Sequence, residues 1–190
     1  MREFIYRNFD HVLFVLLFIS RVADIGSTYL ATPNLKLEAN PIAKKLGWPF
    51  ALLTILVSFM AYWNTRLSVA ALVFFLLVSA SNIGKIWLFR TIGEDEYLEL
   101  MVRMARKSKL PYAICGVLAS SFLVVLVGGL LVFLSPAPEQ EWGYFVGVGI
   151  IYYGGAMAFY GSLSFIKLFR KARIVTSDLN VNVAEYPRTA

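Results

Sequence analysis

Long apolar runs separated by short polar connections dominate the chain and predict membrane-spanning helices. About 20 apolar residues cross the hydrocarbon core of a bilayer as a helix. Stretches of roughly this kind lie at residues 12–30, 48–63, 67–89, 110–134 and 142–169, the second being a little short. We therefore predict an all-α, polytopic integral membrane protein with a bundle of five transmembrane helices. One domain covers residues 1–173, and residues 174–190 form a polar, loosely ordered C-terminal tail.

Two connections between these spans carry their own structural signals. Residues 64–66 are so short a link that the second and third spans must form an antiparallel hairpin. The third connection, GEDEYLELMVRMARKSK, places Leu98, Met101, Val102 and Ala105 on one helical face. Acidic residues begin this stretch and basic residues end it, which complements a helix dipole. It predicts a short amphipathic helix on the cytoplasmic surface, the alternative being a solvated connector with a helical turn.

The composition supports the membrane assignment and excludes other classes. Of the residues, 58% are hydrophobic and 16% charged, with a mean hydropathy of +0.66, whereas a soluble domain carries about a quarter charged residues. The net charge of +6 comes from basic residues at segment ends, which indicates orientation signals and lipid-headgroup contacts and no nucleic-acid partner. The single cysteine, Cys115, excludes an internal disulfide, and one histidine, His11, excludes a zinc site of His and Cys.

The distribution of Lys and Arg predicts the orientation. The first and third loops and the C-terminal flank carry 12 basic residues, while the opposite side carries 3. Basic loops stay in the cytoplasm, so the N-terminus should be outside and the C-terminus cytoplasmic, in the inner or plasma membrane of the cell. The first span lacks a small-residue cleavage pattern and is predicted to be retained rather than removed as a signal peptide.

The first span and the loop after it hold the candidate site. Arg21, Asp24 and Thr28 share one helical face, with Ser27 close by. Ionisable residues inside a membrane span usually mark function. On the third span, Asn82 and Lys85 lie three residues apart and would satisfy Asp24. The alternative is structural: Arg21 and Asp24 neutralise each other, and Ser27 and Thr28 bond back to carbonyls one turn earlier.

The loop has a local code that predicts order. Asn40 can cap a short helix, with Pro41 at its first position and Gly47 just past its end. Such order would hold Glu38 near the end of the first span. The predicted binding residues, facing a polar pocket in the cytoplasmic half of the bundle, are Arg21, Asp24, Ser27, Thr28, Glu38, Asn40, Asn82 and Lys85.

These residues do not define a reaction. Asp24, Glu38 and Asn40 offer oxygen ligands of the kind that suit Mg²⁺, Ca²⁺ or Mn²⁺, but two carboxylates are a weak metal signal. A nucleophilic Ser27 would need Lys85 as its base. We therefore assign no catalytic residue, no metal ligand and no cofactor, and keep a divalent metal as the alternative.

The pattern D-x-x-S-T followed by E-x-N-P resembles a family of small bacterial and archaeal membrane proteins of unknown function. The resemblance covers residues 14–63, about a quarter of the chain. It implies a multi-span helical protein in which the polar motif matters, and it implies no activity. The matching residues are Asp24, Ser27, Thr28, Glu38, Asn40 and Pro41.

Three functions fit this sequence. The favoured hypothesis is a non-enzymatic protein that binds a lipid headgroup, a small polar solute or a partner subunit through the pocket. The second is an intramembrane enzyme for a lipid-linked substrate, with Asp24 and Glu38 as acid/base groups or metal ligands, and the third is a transporter of a small solute or ion. In the fifth span, Gly143 and Gly147 form a GxxxG motif, followed by Gly154, which indicates close packing inside the bundle or, alternatively, a homodimer face. The predicted partners are membrane lipids, a second copy or a membrane subunit.

Overall fold

The computed structural model describes residues 8–38, 40–135 and 142–184, with side chains as far as residue 174. Within these ranges most of the chain is helical, and it contains no strand. The helices are α1 (Phe9–Ala31), α2 (Pro41–Leu53), α3 (Thr65–Ile92), α4 (Glu94–Lys107), α5 (Leu110–Leu134) and α6 (Trp142–Ala184), and a 3₁₀ helix (Thr54–Tyr62) continues α2. Five segments are long and apolar enough to span a membrane, which confirms the predicted helical architecture: Phe9–Ala31, Pro41–Tyr62, Thr65–Ile92, Leu110–Leu134 and Trp142–Ile174.

The helices pack as a row with α3 at its centre. On one side α3 packs against α1, which in turn packs against the 3₁₀ helix; on the other side α3 packs against α6, which packs against α5. A small core of Leu13, Leu17, Ala61 and Val69 joins α1, the 3₁₀ helix and α3. Large apolar side chains are exposed around the outside of the row, as expected for helices with lipid as their solvent.

The predicted code of the first loop is confirmed. The Asn40 Oδ1 atom accepts a hydrogen bond from the Ile42 backbone N–H at 3.0 Å, and Pro41 opens α2. Gly47 then interrupts the helix with φ 69° and ψ −159°, a left-handed conformation that glycine adopts without strain. The second span therefore begins earlier than predicted, at Pro41, and has a kink near its start.

The other helix ends agree with the predicted spans except at α6. The Asn64 side chain accepts from the Leu67 N–H at 3.0 Å and caps α3, which confirms the tight hairpin. Residues 110–134 form α5 as predicted. In contrast, α6 continues to Ala184 instead of ending at residue 169, because residues 170–184 contain neither glycine nor proline to stop it. The predicted loose tail is thus helical as far as it is described, and residues 185–190 lie outside the described residues.

The connection after α3 is a helix, α4, whose apolar face packs against the protein. Val102 and Ala105 are buried against Phe169 and Ala172 of α6. This contact accounts for Val102 and Ala105 of the predicted apolar face, and the position of α4 on the cytoplasmic surface stays a prediction.

Small residues bring α5 and α6 into backbone contact. A Cβ atom added at Gly147 would lie 2.6 Å from the Gly128 carbonyl oxygen, and one added at Gly128 would lie 2.7 Å from the Gly147 oxygen. At Gly154 an added Cβ would lie 2.7 Å from Val125 Cγ2. The small-residue pattern of the fifth span therefore serves packing inside the chain, where only a hydrogen atom fits between the backbones.

Candidate functional site

Arg21 lies buried near the middle of α1 and joins three segments of the chain. Its side chain forms an ion pair with Asp24 and donates a second hydrogen bond to the Thr54 hydroxyl. The guanidinium lies 4.2 Å from the centroid of the Phe75 ring on α3. Only 7% of the residue is exposed, and its Nε atom has no hydrogen-bond partner among the described residues.

Local structure explains why these groups meet. Residues three apart share a helix face, so Arg21 reaches Asp24 within α1. Thr54 lies where α2 becomes a 3₁₀ helix, and its hydroxyl bonds back to the Ala51 carbonyl. A cation over an aromatic face is attracted by the ring quadrupole, and Phe75 supplies that face from α3. The arrangement holds α1, the 3₁₀ helix and α3 together.

Of the other predicted polar residues on α1 and α3, some form hydrogen bonds inside the bundle and one, Lys85, is exposed. Asn82 Nδ2 donates to the Thr28 hydroxyl at 3.1 Å and links α3 to α1, while the Ser27 hydroxyl donates back to the Asp24 carbonyl at 2.9 Å. The expectation that Asn82 and Lys85 satisfy Asp24 is wrong, since Arg21 occupies that role. Lys85 is exposed and forms no hydrogen bond or ion pair with any described residue, Ser27 included.

Glu38 approaches the buried pair from the loop. One of its carboxylate oxygens accepts the Asn40 backbone N–H at 2.7 Å. The Glu38 charge acts on the Asp24 carboxylate through space, and no hydrogen bond joins these two described side chains. We refer to Arg21, Asp24 and Glu38 as the mixed-charge cluster. One positive and two negative groups give the ionised cluster a formal charge of about −1.

A carboxylate on α4 fixes the loop that carries Glu38. Glu94 accepts hydrogen bonds from the Thr32 hydroxyl, from Asn34 Nδ2 at 3.1 Å and from the Lys36 backbone N–H at 2.7 Å. The Thr32 oxygen in turn accepts the Leu37 N–H at 3.2 Å. We call this arrangement the Glu94 clamp. Glu94 was predicted only to complement the dipole of its own helix.

The charges around the clamp follow from these contacts. Partial burial would raise the pKa of Glu94, but the hydrogen bonds from Thr32, Lys36 and Asn34 outweigh it and lower that pKa below its usual value of 4.5. Lys36 Nζ lies 2.5 and 2.8 Å from the two carboxylate oxygens of Asp95. The Asp95 hydrogen bond raises the pKa of Lys36 above its usual 10.5.

Aromatic residues attach the loop to the helices on either side. Trp48 Nε1 donates to the Pro33 carbonyl at 3.1 Å, and its ring centroid lies 5.2 Å from that of Tyr29. The sequence pattern gave no indication of this bond. Sequence reasoning also missed Thr54 and Phe75, because nothing near either residue in the sequence indicates a buried arginine 33 or more positions away.

Across the described ranges, no group of three or more His, Cys, Asp or Glu side chains is arranged to hold a metal ion. The mixed-charge cluster provides two carboxylates, one of them engaged with Arg21. No protein-family model matches the chain, and no curated protein or solved structure matches it either. The resemblance through the D-x-x-S-T and E-x-N-P residues therefore stays a prediction.

Proposed function

We propose that this is a non-enzymatic integral membrane protein that binds a polar group through the mixed-charge cluster of Arg21, Asp24 and Glu38. The group belongs to a lipid headgroup, a small polar solute or a partner subunit. One observation carries the proposal: an ordered loop fixes the Glu38 carboxylate, through the Asn40 N–H, just after the helix that carries the complete Arg21–Asp24 pair.

The chemistry of the cluster favours a particular kind of ligand. Asp24 neutralises Arg21, so the charge of Glu38 is left without a cationic partner among the described residues. A carboxylate next to another carboxylate is costly unless a positive group or a proton approaches it. An ammonium group, as in an ethanolamine headgroup, supplies both a charge and hydrogen-bond donors. The bound group is therefore cationic or a hydrogen-bond donor.

The experiment compares Glu38→Gln with Glu99→Gln, a control at an exposed position of α4. Phosphatidylethanolamine is added to the purified protein in a neutral detergent, and the melting temperature is measured against phosphatidylcholine with the same acyl chains. Wild type and Glu99→Gln should be stabilised by the ethanolamine lipid, and Glu38→Gln should lose that response. If free ethanolamine raises the melting temperature in the absence of added lipid, the site binds a small solute. If each ligand changed the melting temperature of Glu38→Gln as much as that of the wild type, the proposed site would be excluded.

The proposed orientation places the N-terminus outside and the C-terminus in the cytoplasm, with α4 on the cytoplasmic side. In a Cys115→Ser background, a cysteine at Asn64 should react with an impermeant maleimide added to intact cells. A cysteine at Asn34, at the opposite ends of the helices, should react only after lysis. The reverse labelling pattern would invert this topology.

A second candidate is an intramembrane enzyme for a lipid-linked substrate. The feature that favours it is the presence of two carboxylates, Asp24 on α1 and Glu38 in the loop after it, since two carboxylates can share acid and base roles or bind a divalent ion. It predicts that Mg²⁺, Mn²⁺ or Ca²⁺ raises the melting temperature of the wild type but not of Glu38→Gln. If none of the three ions changes the wild-type melting temperature, the metal version of this candidate is wrong.

A further inference from the structure

The packing of α4 on α6 brings together two basic segments that are about 60 residues apart in the chain. We call their exposed cations the basic patch. It consists of Arg103, Arg106 and Lys107 on α4 with Arg170, Lys171 and Arg173 on α6.

The buried contact determines where these cations lie. Val102, Ala105, Phe169 and Ala172 are 3–8% exposed and form the seam between the two helices. Each cation is next to a seam residue in sequence, or within two positions of one, yet is itself exposed. The two basic segments therefore border the same seam instead of pointing to opposite sides of the molecule.

The cations of the basic patch are also available. None of the six forms an ion pair or hydrogen bond with a residue whose side chain the structure describes. Glu99, four residues before Arg103 on α4, is exposed and does not pair with it. Several like charges held near one another without counterions give a strong positive potential.

The position along the helices identifies the partner. α5 begins at Leu110, three residues after Lys107, and the apolar run of α6 in the sequence ends at residue 169, next to Arg170. The patch thus lies where apolar helix gives way to polar chain, which is the level of lipid headgroups for a helix that crosses a bilayer. Arginine binds phosphate oxygens with two parallel hydrogen bonds, and basic groups between helix ends suit anionic headgroups.

We propose that the basic patch is a binding site for the phosphate of an anionic phospholipid. The site is independent of the mixed-charge cluster: its chemistry selects a negative group, whereas the charge of Glu38 selects a positive one. Binding to it ties α4 to the end of α6 and stabilises that contact.

The test uses the full chain in a neutral detergent, with phosphatidylglycerol as the probe and phosphatidylcholine of the same acyl chains as the comparison. Lipid binding is counted by native mass spectrometry, and the melting temperature is followed in parallel. Phosphatidylglycerol should bind and stabilise the wild type, and high salt should weaken both effects. The doubles R103Q/R106Q and R170Q/R173Q should each lower the apparent affinity about tenfold.

Matched variants separate the site from general charge. K44Q/K45Q removes two exposed cations near the start of α2 and should leave phosphatidylglycerol binding unchanged. R103K/R106K keeps both positive charges and should keep most of the binding. A loss of binding in this variant as well would indicate that substitution at these positions disturbs folding. The proposal is overturned if phosphatidylcholine binds equally well, if K44Q/K45Q has the same effect as the patch doubles, or if inorganic diphosphate alone stabilises the wild type as strongly as the lipid. Glu38→Gln should leave this response intact, so the two sites fail or succeed separately.

Discussion

The guanidinium of Arg21 lies 4.2 Å from the centroid of the Phe75 ring while it is paired with Asp24 on its own helix. One face of the cation is thus covered by α3, and its hydrogen-bonding edge is directed to α1 and Thr54. The ion pair, the hydrogen bond to Thr54 and the aromatic face together stabilise this buried charge. A buried arginine at this position binds three segments of the fold together.

Replacing Arg21 by alanine should destabilise the protein strongly, because Asp24 would stay buried without its counterion. Breaking a buried pair from one side typically costs about 3–5 kcal/mol in the free energy of unfolding. The double variant Arg21→Met with Asp24→Leu should recover most of this loss. Reversible unfolding in mixed micelles measures the difference, with Arg90→Ala, exposed on α3, as the control. If Arg21→Ala and Arg90→Ala lowered the free energy of unfolding equally, Arg21 would not be what joins the three segments.

Glu94→Gln should loosen the first loop. The amide keeps the size of the side chain but cannot accept three charge-assisted hydrogen bonds, each worth about 1.5–3 kcal/mol in buried settings and less in this half-exposed one. Hydrogen exchange at the Lys36 amide, which bonds to Glu94 at 2.7 Å, should accelerate several-fold. Glu96→Gln, two residues along and exposed, should leave that exchange rate unchanged. If Lys36 exchanges at the same rate in both variants, the clamp does not order the loop.

Acid should release the same loop through Glu94. Its folded-state pKa lies below 4.5, so the carboxylate contributes stability that is complete above about 4.5 and is lost as the pH falls through the lower folded value. Trp48, which bonds to the loop at Pro33, reports this change in a variant whose other tryptophans are phenylalanine. Its emission should be constant from neutral pH to about 5 and shift below 4.5.

The same titration in Glu94→Gln provides the control for this pH dependence. The emission of Trp48 should already be shifted at neutral pH and should lack the acid transition. An unchanged transition in Glu94→Gln would assign it to another group.

Gly147→Ala should destabilise the α5–α6 contact, since the new methyl would lie 2.6 Å from the Gly128 carbonyl. Overpacking of this kind costs about 1–3 kcal/mol. Gly155→Ala is the matched control on the same helix, where an added Cβ meets nothing within 4 Å. That variant should be neutral or more stable by about 0.5–1 kcal/mol through helix propensity. The melting temperature should therefore fall in Gly147→Ala and not in Gly155→Ala, and an equal fall in both variants would contradict the close approach.

The sequence was sufficient where the signal is local. The apolar runs define the spans, the order Asn40, Pro41 and Gly47 defines a capped short helix with its end, and residues 64–66 define a hairpin. Each depends on interactions within a few residues, so spacing and residue type predict them. The Arg21–Asp24 pair belongs to the same group, because both partners lie on one helix face.

The partners of the site were less predictable because they depend on the register between helices. Thr54 meets Arg21 where α2, already kinked at Gly47, becomes a 3₁₀ helix. Apolar periodicity does not reveal this change of winding. Lys85 points outward although Asn82, three residues earlier, points to α1. Glu94 had a sufficient local explanation at the start of α4, so its contact with a loop about 60 residues earlier could not be inferred.

The winding of the second span has a further consequence for its length. Residues in a 3₁₀ helix rise about 2.0 Å each instead of 1.5 Å, so the nine residues of Thr54–Tyr62 cover roughly 18 Å where an α-helix would cover about 13.5 Å. The 3₁₀ winding thus lengthens the 22-residue span Pro41–Tyr62 by about 4.5 Å over a purely α-helical one. A difference of this size is comparable to the difference in thickness between one cellular bilayer and another.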